Sequence, residues 1–284
     1  MARTCAAVSE IAWRTPSGGI DTATADKVRT ELLEILPIAC DLFDLYWEMS
    51  LELRDRIGTW GDDEPAHYLT ATGMSFPTFD SDLLRVMGPD GVTCQTFLAR
   101  DFRTHLSFQE TDYSYAGQTS YNGQVLRANS LARVNMARVM GTPRADLYLQ
   151  RFREAFGLPA HGILLFDICR GIELVYALER AIEILDPPLD QGWAAVPHTR
   201  RDGEGYGLVE APRGPLIHHY RIEEGKITQA EFIIPTVHNL LAIERALTVA
   251  AKRYINKQRV NLELERAVGR VVRAFDPCIA CATH

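Results

Sequence analysis

The residues with the clearest chemical capacity end the sequence: Asp276-Pro277-Cys278-Ile279-Ala280-Cys281-Ala282-Thr283-His284. Two thiolate-forming side chains stand three apart, and an imidazole follows three residues later. Thiolate and imidazole are ligands for soft and borderline metals. A chain end frays unless something ties it down, and three such ligands on the final turn point to a metal as the tie. The cysteine pair alone admits other readings. A thioredoxin-type redox pair needs a helix after the first cysteine, inside a βαβ unit, and only three residues follow Cys281. A closed zinc site needs four ligands, whereas Cys5, Cys40, Cys94 and Cys169 are single and scattered. A pair of surface thiols without a role is the third reading.

Further motifs lie upstream. Gly205-Tyr206-Gly207-Leu208-Val209-Glu210-Ala211-Pro212-Arg213-Gly214-Pro215-Leu216-Ile217-His218-His219-Tyr220 contains a Glu-Ala-Pro-Arg-Gly core. Pro235-Thr236 with Asn239, Leu131-Ala132-Arg133-Val134-Asn135 and Arg170-Gly171-Ile172-Glu173 are shorter. With the tail, these segments resemble the signature motifs of nickel–iron hydrogenase large subunits, in the same order and over nearly the whole chain. The wording is closest to the soluble, cofactor-coupled type.

That resemblance implies a nickel–iron centre, with nickel held by four cysteine sulfurs, two of which bridge to an iron carrying cyanide and carbon monoxide. By the same resemblance Cys278 is a terminal nickel ligand and Cys281 a bridging one. His284 would bind a separate magnesium or iron ion that fixes the chain end. Arg213 would donate to one cyanide and Thr236 to the other, inside an apolar pocket shaped by Pro212 and Pro235. Asp276 would orient Arg213 or cap the turn. The plainer alternatives are a surface salt bridge for Arg213, a strand-end hydroxyl for Thr236 and ordinary turns for the prolines.

The resemblance breaks at the amino terminus. The family's first cysteine motif needs a second cysteine three residues after the first, and Val8 stands there after Cys5. The acidic proton-gate motif is absent too. Half of the nickel ligands are therefore missing. The expectation is the C-terminal portion of a large subunit, one half of a split hydrogenase active only with partners. These partners are a chain carrying the N-terminal cysteine pair, a small subunit with iron–sulfur clusters and a diaphorase-type module. The alternative is a non-catalytic scaffold or interaction subunit with a structural metal at its end. A terminus at His284 fits proteolytic processing and an encoded stop equally well.

Composition narrows the class. The chain has 284 residues, 46% hydrophobic and 24% charged, enough for a large core. A net charge of −7 argues against a nucleic-acid surface. No apolar run reaches the roughly 18–20 residues of a membrane span, and the first ten residues carry no signal-like core. Six cysteines without a disulfide-like spacing fit a reducing cytoplasm.

The elements that must position the motifs follow from periodicity. One domain over residues 1–284 is expected, α+β and mainly helical, with a small antiparallel β region, as in the C-terminal part of the hydrogenase fold. Residues 1–22 read as loop and 24–57 as helix, which Pro37 should kink or divide. Cys40 reads as a core filler, and Tyr46 and Trp47 as a packed helix face in preference to a cofactor box. Residues 66–105 read as short strands punctuated by Gly73, Pro77 and Pro89-Asp90-Gly91, with a strand at 92–97. Residues 101–129, polar and rich in tyrosine, read as irregular. Thr142-Pro143 starts a helix with a hydroxyl cap, ending near Gly157. The next carries Cys169 in its core and Arg170 and Glu173 one turn apart, a surface ion pair by spacing and, as the resemblance implies, residues with a buried structural role; Pro187-Pro188 stops it. Residues 206–234 turn to β, with a hairpin about Glu223-Glu224-Gly225-Lys226. There His218 and His219 face opposite ways, one buried and hydrogen-bonded. Two helices follow, and the last ends by Asp276 because Pro277 disfavours helix in the residue before it.

Overall fold

The computed structural model describes residues 21–57, 65–71, 81–186, 201–255 and 259–283. Cys5, Gly73, Pro77, Pro187, Pro188 and His284 fall outside the described residues. The order is α1 (Thr22–Glu52), β1 (His67–Ala71), β2 (Leu83–Met87), β3 (Thr93–Leu98), α2 (Phe102–His105), β4 (Leu106–Thr111), β5 (Ser114–Tyr121) and β6 (Gln124–Arg127). It continues with α3 (Ser130–Met136), α4 (Pro143–Phe156), α5 (Phe166–Ile184), β7 (Gly203–Ala211), β8 (Gly214–Glu223), β9 (Lys226–Ile233), α6 (Pro235–Tyr254), α7 (Leu262–Phe275) and α8 (Ile279–Ala282). Six strands form a mixed sheet in the order β3-β2-β1-β6-β5-β4, in which β1 and β6 are parallel. A separate antiparallel sheet holds β7-β8-β9. The expected α+β architecture is present, and among the described residues no helix is long and apolar enough to cross a membrane.

Three local expectations are corrected. Pro37 does not divide α1, which runs through it for 31 residues. An interior proline costs about 3 kcal/mol, but Leu36, Ala39, Cys40 and Phe43 bury around it and hold both halves in one line. Residues 101–129 are not irregular, because β4, β5 and β6 lie there. Most of β4 is solvent-exposed, so it carries no apolar alternation, and its identity comes from pairing with β5. The usable signal was Asn122-Gly123, both at positive φ, a tight hairpin turn between β5 and β6. Thr142 precedes α4, but its hydroxyl makes no capping bond. The Glu179 carboxylate caps the helix instead, accepting from Arg144 N and Ala145 N at 3.1–3.2 Å.

The helical core lies where α1, α4 and α5 meet. Phe43 stacks on Tyr148 with ring centroids 3.8 Å apart, and Trp47 packs against Phe43 and Phe156 as expected, whereas Tyr46, expected on the same packed face, is exposed. Cys40 and Cys169 are buried core fillers, while Cys94 is exposed. α7 presents Leu264, Ala267, Val271, Ala274 and Phe275 to the core, and Phe275 meets Phe166 of α5 edge-on at 5.1 Å. Arg170 does not pair with Glu173. It binds Asp167 and donates to Ala274 O, tying the end of α7 to α5. α7 therefore delivers the tail from a fixed base. The expected hairpin is present, with Glu223 opposite Lys226 and both central residues at positive φ.

Candidate metal centre

Three segments converge beyond the end of α7. The first is the two-residue turn Pro212-Arg213 between β7 and β8, where Ala211 faces Gly214. Only glycine suits position 214. Its φ is +131°, and an added Cβ would lie 2.1 Å from Ala128 O. The second is the start of α6, with Pro235 in the first turn and Thr236 beside it, both buried. Thr236 thus opens a helix and does not end a strand. The third is the tail, where Asp276 ends α7 in the left-handed conformation (φ 47°). That conformation turns the chain from the helix axis before Pro277.

Hydrogen bonds lock the segments together. Arg213 Nη2 donates to Asp276 Oδ2 at 2.8 Å, and Arg213 Nε donates to Asp276 O. Asp276 thus contacts the guanidinium and also terminates the helix. Cys278 N donates to Thr236 Oγ1 at 3.1 Å. Asn239 accepts from Ala128 N at 2.8 Å and donates to Arg213 O at 2.9 Å and to Pro235 O at 3.2 Å. One amide side chain thereby joins the mixed sheet, the hairpin turn and the start of α6. Asn239→Ala removes all three bonds from a buried site. It is expected to cost about 2–3 kcal/mol, read as a lowered urea midpoint with an unchanged m-value.

Beneath the turn lies a buried ion network. Arg133 reaches Glu173 at 2.6 and 2.9 Å and Glu210 at 2.8 Å, and donates to Ala211 O and Pro212 O at 3.0 and 2.7 Å. Glu210 also accepts from Ala71 N at 2.6 Å. Burial works against the Arg133 charge, but the two carboxylates outweigh it and raise its pKa. Burial pushes the Glu210 carboxyl up to about 7 despite Arg133. Arg133, Glu173 and Glu210 stand in separate sequence motifs, and their contact was not foreseen. The available signal was a charged residue inside Leu131–Val134, an otherwise apolar run on a helix that is buried throughout.

His238 is a second unforeseen brace. Its Nε2 lies 3.1 Å from Pro215 O, which can only accept, so Nε2 carries the hydrogen. Nδ1 then accepts from Thr119 Oγ1 at 3.0 Å. Burial holds the imidazole down at about 4, against an ordinary 6.5. Unfolded His238 takes up a proton below about 6.5 and the folded side chain does not. Its contribution to stability is therefore full above that pH and is lost as pH falls toward 4. Glu210 acts with opposite sign, because its folded pKa is raised. Compared with His238→Gln, the wild type is expected to lose about 2 kcal/mol more between pH 7 and pH 5, by urea unfolding.

Cys278 and Cys281 are bonded to each other, with Cα atoms 5.3 Å apart. Cys278 is half-buried and Cys281 exposed. Arg213 is half-buried beside them and Pro212 is exposed, so only Pro235 and Thr236 are enclosed. His219 is the buried histidine of its pair, hydrogen-bonded to Glu204 at 2.6 Å, as expected, and His218 is half-buried. No group of three or more metal-binding side chains occurs among the described residues. The two sulfurs suit a soft metal as thiolates, and they are half of the four sulfurs that the resemblance implies for a nickel–iron centre. The residues present fit one side of that group.

Residues 89–284 match the nickel-dependent hydrogenase family, and the chain belongs to that family. One component of the F420-non-reducing hydrogenase of Methanothermobacter thermautotrophicus is 30% identical over 280 residues, 94% of this chain and 59% of the relative. The HoxS subunit beta of the NAD-reducing hydrogenase of Cupriavidus necator is 32% identical over 212 residues, 71% of this chain and 43% of the relative. An NAD+-reducing nickel–iron hydrogenase crystallised in the H2-reduced state superposes with a TM-score of 0.85 at 26% identity, covering 94% of this chain and 62% of that one. The chain thus spans 59% of the length of the first of these curated relatives.

Proposed function

We propose that this chain is one half of a split nickel–iron hydrogenase large subunit, catalysing reversible hydrogen oxidation when a second chain supplies the other two thiolates. One observation carries the reading. Cys278, Cys281 and the Arg213–Asp276 pair are held together on an exposed face that offers two sulfurs and no third ligand among the described residues. An iron–sulfur subunit would take the electrons, and a diaphorase-type module would pass them on. The fuller assembly fits a chain that spans 59% of a curated relative.

Cys278 and Cys281, reduced to thiolates, would hold the centre from this side, and His284 would bind the separate cation at the chain end. When bound, the group supplies a Lewis-acidic metal that polarises hydrogen for heterolytic cleavage. The residues of this chain do the rest. The exposed sulfur of Cys281 is an atom able to take a proton and release it toward solvent. Arg213, fixed by Asp276, presents a permanent positive charge and N–H donors over the same face, the groups that a cyanide ligand needs. Thr236 accepts the Cys278 amide through Oγ1 and keeps its hydroxyl hydrogen for a second acceptor. Pro235 keeps water from that side.

Metal analysis of the complex, purified with all its partners under reducing anaerobic conditions, tests the reading. One nickel per complex is expected. A complete complex without nickel contradicts it and favours a scaffold.

A further inference from the structure

We propose that the outward face of α1 docks an amphipathic helix with basic flanks, carried by the chain that completes the metal centre. This rests on the split-subunit reading. Ile35, Ile38, Leu42, Leu45 and Met49 are 45%, 65%, 42%, 53% and 47% exposed. Their spacing alternates three and four, the period of a coiled-coil seam. They are not the residues that hold α1 to its own fold, because Leu36, Ala39, Cys40 and Phe43 do that from another face. Single exposed apolar side chains need no explanation. Five in one stripe, about 21 Å long at 1.5 Å per residue, leave a helix-sized surface uncovered.

Charge selects the occupant. Glu34, Asp41 and Glu48 are exposed and recur every seven residues along one edge of the stripe. A second copy laid antiparallel would set these acids against the same three. Laid parallel, it would set them against Ala39, Tyr46 and Leu53, none of which carries a positive charge. Self-pairing is therefore unrewarded in one direction and repulsive in the other. A helix with its own three-four apolar stripe and Lys or Arg along the facing edge satisfies both features. The relatives that this chain partly spans are longer than it is, so the chain that supplies the remaining family fold is the source we assign to this helix.

The test places photoreactive benzoylphenylalanine at Leu45 in the complex purified with its partners. Ultraviolet light is expected to link position 45 to a Lys- or Arg-flanked helical segment of a different polypeptide. Ile38→Glu with Leu45→Glu is expected to weaken retention of that polypeptide at least about tenfold, with the circular dichroism of the chain unchanged. Raising salt from about 0.1 M to about 1 M should weaken it further. A link to another copy, to residues 1–20 of the same chain, or to an acid-flanked helix overturns the proposal. A nickel-bearing complex in which position 45 links to nothing sinks the docking surface and leaves the metal reading. A linked complex without nickel does the reverse.

Discussion

Arg133→Met is expected to be among the most damaging single substitutions in this protein, costing about 3–5 kcal/mol of folding stability. The Arg133 side chain is 6% exposed, between Glu173 at 18% and Glu210 at 2%. Methionine fills much of the volume but leaves two carboxylates facing each other without a cation. It also leaves Ala211 O and Pro212 O without their donor. Arg133→Lys should recover only part of the loss, because an ammonium cannot fork across two carboxylates and two carbonyls. Adding Glu173→Gln and Glu210→Gln to Arg133→Met should recover more, because the uncompensated charges go with it. Urea unfolding of the four proteins checks this. A loss below about 1 kcal/mol for Arg133→Met would place the network outside the framework of the turn.

Cys281→Ser is expected to have the opposite signature. In the reduced protein Cys281 is exposed and not bonded to Cys278, so folding stability there should change by no more than about 0.5 kcal/mol. Nickel retention should fall at least about tenfold, because a serine hydroxyl is a harder and far less acidic ligand than a thiol. Measuring nickel and unfolding on the same preparations separates a ligand from a structural cysteine. Unchanged nickel in Cys281→Ser removes this residue from the ligand set. Lost nickel together with lost stability would instead assign the tail a structural role.

The candidate centre was legible in the sequence to the extent that its parts are local. The Pro277 turn follows from residue type, whereas the Arg213–Asp276 pair, 63 residues apart, and the enclosed setting of Pro235 and Thr236 were readable only through the family resemblance. Proline before the tail and glycine after Arg213 each fix a backbone conformation. What stayed hidden depends on sequence separations of tens of residues. Nothing local says that Arg133 meets Glu210 and Glu173, or that Asn239 spans from Ala128 to Arg213. The surface ion pair between Arg170 and Glu173, one turn apart, does not form because each is engaged elsewhere: Arg170 by Asp167, one turn earlier on the same helix, and by the distant Ala274 O, and Glu173 by the distant Arg133.

The fold shows the same division. Helices α5, α6 and α7 announce themselves by a periodic apolar face; α4 is announced by Thr142-Pro143, and α1 by an apolar period that includes the exposed Ile35, Leu42 and Met49. Pro37 misled because an intrinsic backbone penalty was set against burial that only the tertiary structure supplies. β4 misled because an edge strand with both faces largely wet carries no alternation to detect. The cap of α4 misled in a third way, since Thr142 occupies the capping position but Glu179, from another helix, does the capping.

Selenium tests the central claim most directly. Selenocysteine placed at position 281 of this chain alone, in the complete complex, gives the tail an absorption edge shared by no other polypeptide there. Selenium K-edge spectroscopy of the reduced complex should show a nickel neighbour at bonding distance. A selenium atom with only carbon, sulfur or solvent around it, in a complex that does contain nickel, would contradict the assignment of the tail to the metal centre.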